Sequence, residues 1–265
     1  MSREGERLFA RYAFPPNDLG YCGPADARAL FELAANGHAA GDIEAIARRF
    51  SGVWPYLVLL AEVTGGTDPL DEGLVRAYWT GAPAEGVEAA EFGARLLHRL
   101  GTQAGHYWHH LDEALLPEAA PDHGFHVFGV YPWSRLLPAG PPEQPLHVLD
   151  SCRISWGQVT RVRDGHIVIR RQPLGWDGER LDLLPEREHE VRFRINGWSF
   201  VADPRPGEWL ALHWDWACDR LTRDDVTRLR QRTVDRLAMT NERLYRDRAA
   251  ARSRRSASAV TPPRR

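Results

Sequence analysis

Between Cys152 and Leu221 the chain lays out short β-branched and aromatic runs, and turn pairs stop them at close intervals: Asp164-Gly165, Asp177-Gly178, Asn196-Gly197 and Pro206-Gly207. Runs this short, alternating in polarity as in Ile154, Trp156 and Val159, are strands rather than helices. Several of them in one short stretch predict a small β-barrel, because closing the sheet removes its open edges. Thr222, followed three residues later by Asp225, then predicts a helix start close to a capping box. Val226, Leu229, Leu237 and Leu244 give that helix an apolar face, interrupted by Thr233 and Asn241.

The first 115 or so residues have a different texture. Leu30, Leu33 and Ala34 before Asn36-Gly37, Ile43, Ile46, Ala47 and Phe50 after Asp42, and the very apolar PYLVLLAEV after Trp54 read as helices. Two more are predicted to open at Asp68-Pro69 and at Ala84-Glu85. The predicted fold class is therefore α+β, a helical domain followed by a small closed, OB-like β-barrel with a C-terminal helix. The predicted organisation is a helical domain over residues 1–120, strands and a stiff proline-rich connector over 121–150, the barrel and its helix over 151–247, and a disordered basic tail over 248–265. FHVFGVYPW, from Phe125 to Trp133, is expected to supply the bridging strands.

Charge and composition narrow the function classes. With a formal net charge of -2 and every basic residue an arginine, bulk charge argues for neither a nucleic-acid nor a membrane partner. No apolar run approaches the roughly 18 to 20 residues of a membrane span, and the N-terminus lacks an apolar leader core, so a cytoplasmic chain is expected. Cys22, Cys152 and Cys218 form no close pair, which points to free thiols.

Two groups of residues carry candidate chemistry. His106 and His110 lie at the i, i+4 spacing that lets two imidazoles grip one metal, with His109 between them, and Cys22 sits in a glycine-flanked turn that could expose a thiol. Cys152 precedes the first barrel strand and His213 lies near the end of the last runs, so a closed barrel would return the one to the other on a shared exposed face. The alternative role for each is packing, since isolated cysteines and barrel histidines are commonly buried and satisfied.

Two stretches of the barrel segment stand out together, Cys152-Arg-Ile-Ser-Trp-Gly157-Gln-Val-Thr-Arg-Val with Asp164-Gly165, and PGEWLALHWDWACDRLTRDDV from Pro206 to Val226. In these stretches the chain resembles the HypC/HupF family of hydrogenase assembly chaperones. The resemblance covers about a third of the chain; Trp156 stands where the family has proline, and Asp215 where it usually has glycine. What the resemblance implies is a non-enzymatic maturation factor that binds a nickel-iron hydrogenase large-subunit precursor or an iron-centre scaffold protein. Cys152 would be the thiol that contacts the partner or transiently holds iron, with His213 as its polar neighbour. A metal- or thiol-dependent enzyme working at the domain junction through Cys22 or the His106, His109 and His110 group, and a purely structural adaptor, are the competing readings.

Overall fold

The computed structural model describes residues 3–25, 27–37, 41–104 and 111–259. The fold is α+β. Six helices come first: α1 (Glu4–Asp18), α2 (Ala27–Asn36), α3 (Ile43–Ala47), α4 (Trp54–Val63), α5 (Glu72–Thr80) and α6 (Ala89–Ala104). Asp42 caps α3 through the amide of Ala45, as the sequence predicts. Helix α5 is capped by Asp71 rather than opening at Asp68, while the Asp68 side chain accepts from the Leu70 amide in the preceding turn.

Two predicted features are overturned between residues 121 and 152. The FHVFGVYPW stretch is not strand: α7 (His123–Phe125) runs into a π-turn (His126–Val130), then α8 (Trp133–Leu136). The Asp122 carboxylate caps this piece by accepting from the Phe125 amide at 2.9 Å, and its apolar run is buried on all sides, a state that periodicity cannot tell from a strand. The stretch read as a stiff connector contains α9 (Glu143–Cys152). Pro142 stands at its N-cap and Pro145 within its first turn, where a missing N–H costs nothing, so these prolines start a helix instead of preventing one. Cys152 thereby ends a helix.

The strands are β1 (Ser155–Val162), β2 (His166–Arg171), β3 (Leu174–Trp176), β4 (Leu181–Leu183), β5 (Arg187–Arg192), β6 (Arg194–Ile195), β7 (Trp198–Ser199), β8 (Trp209–His213) and β9 (Trp216–Leu221). Five of them close in the order β1-β2-β5-β9-β8, with β8 pairing back onto β1. All neighbours are antiparallel except β5 and β9, joined in parallel at Arg192 and Trp216. Ile167, Ile169, Val191, Phe193, Leu210 and Leu212 belong to one buried cluster of barrel residues.

Helices and barrel share a core. The largest cluster joins Phe9, Tyr12 and Phe14 of α1 to Trp156, Ala211, Trp216 and Cys218 of the strands. Asp219 of β9 fastens the contact by pairing with Arg11 of α1 and Arg76 of α5, each at 3.3 Å. The chain ends in α10 (Arg223–Ala259). The Thr222–Asp225 capping box forms in both directions. The helix continues past Arg248, where the sequence predicts a disordered tail; Arg and Ala are good helix formers once a helix has been nucleated, and Arg248 bonds the carbonyls of Gly178 and Glu179. Among the described residues no helix is long and apolar enough to cross a membrane.

Candidate functional site

Segments distant in sequence meet around a cavity of about 550 Å³, among them the turn after α1, the start of α7 and its π-turn, the end of α9 and the β8–β9 turn. Cys152 arrives from the C-terminus of α9. Its helix is pinned to the barrel by Asp150, whose carboxylate accepts from Arg171 at 2.6 Å, from Arg153 at 3.1 Å and from the Leu174 amide at 3.0 Å. His213 arrives at the end of β8. The two residues after it, Trp214 and Asp215, both take positive φ, 49° and 56°, a left-handed turn that a bulky tryptophan rarely adopts. Trp214 is held there by its own amide, which donates to the Ser151 carbonyl at 2.8 Å, and by a tilted ring contact with Tyr21, centroids 3.9 Å apart.

The third member is His123, at the start of α7. Cys152 Sγ and one ring nitrogen each from His123 and His213 all lie within 4.8 Å of one another. Sγ stands 3.8 Å from His123 Nε2. That nitrogen also lies 2.9 Å from the Cys152 carbonyl, and His123 Nδ1 lies 3.1 Å from Tyr78 Oη. His213 Nδ1 donates to the carbonyl of Tyr12 at 2.7 Å, and His213 Nε2 is buried with no hydrogen-bond partner.

Burial sets the protonation of the group. It pushes the Cys152 thiol up to about 12, offset in part by the Trp214 indole N–H, and it raises the Cys22 thiol, with a further push from Cys152. His213 falls to about 4, chiefly by desolvation, with the hydrogen bond to the Tyr12 carbonyl and the nearby Cys152 backbone pulling the other way. His126 falls to about 3 by burial alone. His123 lies well below the usual imidazole range through burial and then through its neighbours His213 and His126. The rings are therefore neutral at pH 7 and can act as lone-pair donors, while the thiol must lose a proton before it can bind a metal.

The sequence-predicted residues fare differently. Cys152, His213 and Cys22 line the same cavity. The expected exposed face is corrected, since Cys152 is 7% and His213 1% exposed. Helix α1 and α7 cover this end of the barrel, and their residues could not be placed there from the strand pattern. His106, His109 and His110 lie outside the described residues. His123 was missed because it lies just ahead of the stretch read as strand, in a segment given no helix; the signal that could have found it is the Asp122 cap, which marks a helix start with a histidine in its first turn. Cys218 is fully buried in the main core.

Fold and site together define a class: an α+β protein in which a helical layer and a five-stranded barrel enclose a thiol between two imidazoles. The chain belongs to a family of unknown function, DUF6390, whose profile matches residues 1–247 and so takes in both helices and barrel. No curated protein and no solved structure matches it.

Proposed function

We propose that the chain is a cytoplasmic, non-enzymatic accessory protein for nickel-iron hydrogenase assembly, with a HypC-like, OB-like barrel as its working half. It would bind the large-subunit precursor or the iron-centre scaffold protein, and Cys152 would hold iron in transit. The observation that carries the reading is the meeting of Cys152 and His213 at one cavity, the pair singled out by the resemblance, although they enter from a helix and a strand. The chemistry is suitable, since a thiolate with neutral imidazoles is a soft to borderline donor set that iron accepts.

The test is a tagged full chain expressed in a host that makes a nickel-iron hydrogenase. The expected result is co-purification of the precursor or a maturation protein, lost on Cys152→Ala, and reduced hydrogenase activity on deletion of the gene. Full hydrogenase activity without the gene, together with no hydrogenase component in the eluate, overturns the reading.

A further inference from the structure

We infer that His123, Cys152 and His213 form a resident binding site for one borderline first-row divalent cation, zinc or iron(II), with a fourth position left for a ligand from the cavity. The site shares two residues with the proposed assembly role but stands without that role's partner. Its third donor comes from α7, outside the barrel, so the helical layer has a chemical part in the site.

Geometry makes the case. The three donor atoms lie within 4.8 Å of one another, and Sγ and His123 Nε2 at 3.8 Å; a tetrahedral ion with Zn–S and Zn–N bonds of about 2.3 and 2.0 Å holds its donors about 3.3 to 3.5 Å apart, so side-chain shifts of about an ångström draw the set onto one ion. His213 is the clearest of the three. Its Nδ1–H is spent on the Tyr12 carbonyl, which fixes the tautomer that leaves the Nε2 lone pair bare, and that nitrogen is buried without a partner. A carbonyl on the far ring nitrogen is the arrangement that metal-bound histidines ordinarily have. A buried lone pair with nothing to accept is otherwise a cost to the fold.

His123 is prepared in a second way. In the present arrangement Nε2–H donates to the Cys152 carbonyl and Nδ1 accepts from Tyr78. Exchange of the ring proton to Nδ1, where Tyr78 Oη can accept it, bares the Nε2 lone pair, and a small turn of the ring away from the Cys152 carbonyl aims it at an ion beside Sγ, which already lies at 3.8 Å. Binding then balances simply: Cys152 gives up its thiol proton to solvent, both imidazoles stay neutral, and the doubly charged ion is left with one positive charge. That remaining charge favours a water, hydroxide or small anion from the cavity as the fourth ligand. One thiolate with two imidazoles suits zinc and iron(II) better than magnesium or calcium, which take oxygen donors.

The experiment is a titration of the reduced, chelator-stripped full chain with Co²⁺, followed by competition with Zn²⁺. One equivalent should bind, with near-ultraviolet thiolate-to-cobalt absorption and the visible bands of a tetrahedral ion, and Zn²⁺ should remove both. Cys152→Ser should abolish the near-ultraviolet band, and His123→Ala and His213→Ala should each weaken binding by about tenfold or more. Cys22→Ser should leave the spectrum intact. If His123→Ala fails to fold, as judged by its thermal melt, Tyr78→Phe takes its place, with a similar loss expected. The inference is overturned by absence of saturable binding, by a charge-transfer band that survives Cys152→Ser, or by parental affinity after loss of His123 or, in its stead, of the Tyr78 hydroxyl. Hydrogenase activity in the host plays no part in these readings, so the two proposals can fail separately.

Discussion

His213 Nδ1 reaches the backbone carbonyl of Tyr12 at 2.7 Å, across 201 positions of chain. That carbonyl is inside α1, where it would ordinarily accept from the amide four residues on. The residue four on is Pro16, which lies within the helix and has no N–H. The proline thus leaves one helix carbonyl unclaimed, and the barrel histidine takes it. Pro16→Ala restores a competing donor. The expected outcome is a helix at least as stable as the parent's, with a His213 ring no longer fixed as the Nδ1–H tautomer, read from imidazole nitrogen shifts by NMR. An unchanged tautomer in the variant would show that the missing amide is irrelevant to the ring.

Three buried histidines make the metal-free fold sensitive to acid. The folded pKa values of His126, about 3, and His213, about 4, lie below the ordinary 6.5, and His123 moves the same way. The unfolded chain therefore binds more protons as pH falls below 6.5, and each ring removes stability at about 1.4 kcal/mol per pH unit until its folded pKa is reached. The stabilisation is complete above pH 6.5 and is lost downward, through the window from 6.5 to about 4 for His213 and on to about 3 for His126. Urea midpoints measured from pH 7.5 to 4.5 on chelator-treated protein should fall steadily. His126→Phe should flatten the slope, and a midpoint that is constant with pH contradicts the account.

Much of this arrangement was legible in the sequence where one local rule decides. The Asp-Gly and Asn-Gly turns separate the strands of the barrel region, Thr222 and Asp225 mark the last helix, and the apolar spacing from Leu30 to Leu60 belongs to helices that are buried. Cys152 and His213 could be singled out because their motifs are local. What was not legible depends on contacts between distant segments. Thr233 and Asn241 read as interruptions of an apolar face, yet Thr233 bonds back to the Leu229 carbonyl and Asn241 bonds both the amide and the carbonyl of Leu181, docking α10 on β4. The run around Phe125 is apolar on every side, so no period could reveal its helix or place His123 beside Cys152.

Asp150 positions the thiol from two residues away. Its side chain is 13% exposed and satisfies Arg153 and Arg171, themselves 3% and 7% exposed. Removing one member of such a set leaves buried charge uncompensated, at about 3 to 5 kcal/mol. Asp150→Ala should lower stability by about that amount in denaturant titration. Asp150→Asn keeps the shape and part of the hydrogen bonding, and should recover some of the loss. Parental stability in Asp150→Ala would mean that α9 is held to the barrel by apolar packing alone.

The thiols should be silent in the folded chain. With its pKa near 12, Cys152 is ionised to about one part in 10⁴ at pH 8, whereas an ordinary thiol near 8.5 is ionised to roughly a quarter. Iodoacetamide labelling followed by mass spectrometry should find Cys152 and Cys218 unmodified in native protein and fully modified in guanidinium. Native labelling of Cys152 should speed up about tenfold per pH unit up to its pKa. Rapid native modification of Cys152 at pH 8 would instead identify an exposed thiolate and remove the buried-donor picture.

Gly23 tests whether the cavity wall tolerates change. It follows Cys22 with φ at +78°, and an added Cβ would meet the Phe50 ring at 2.4 Å; both Gly23 and Phe50 line the cavity. Alanine would incur the left-handed backbone and an overpacked contact together, about 1 kcal/mol for the first and about 1 to 3 for the second. Gly23→Ala should therefore lose about 2 to 4 kcal/mol in urea titration. Shrinking the ring in Gly23→Ala/Phe50→Leu should relieve the clash and leave the backbone cost, so the double variant should lose less than the two single losses added together. Strict additivity would place Phe50 outside the effect and leave the turn conformation as the whole cause.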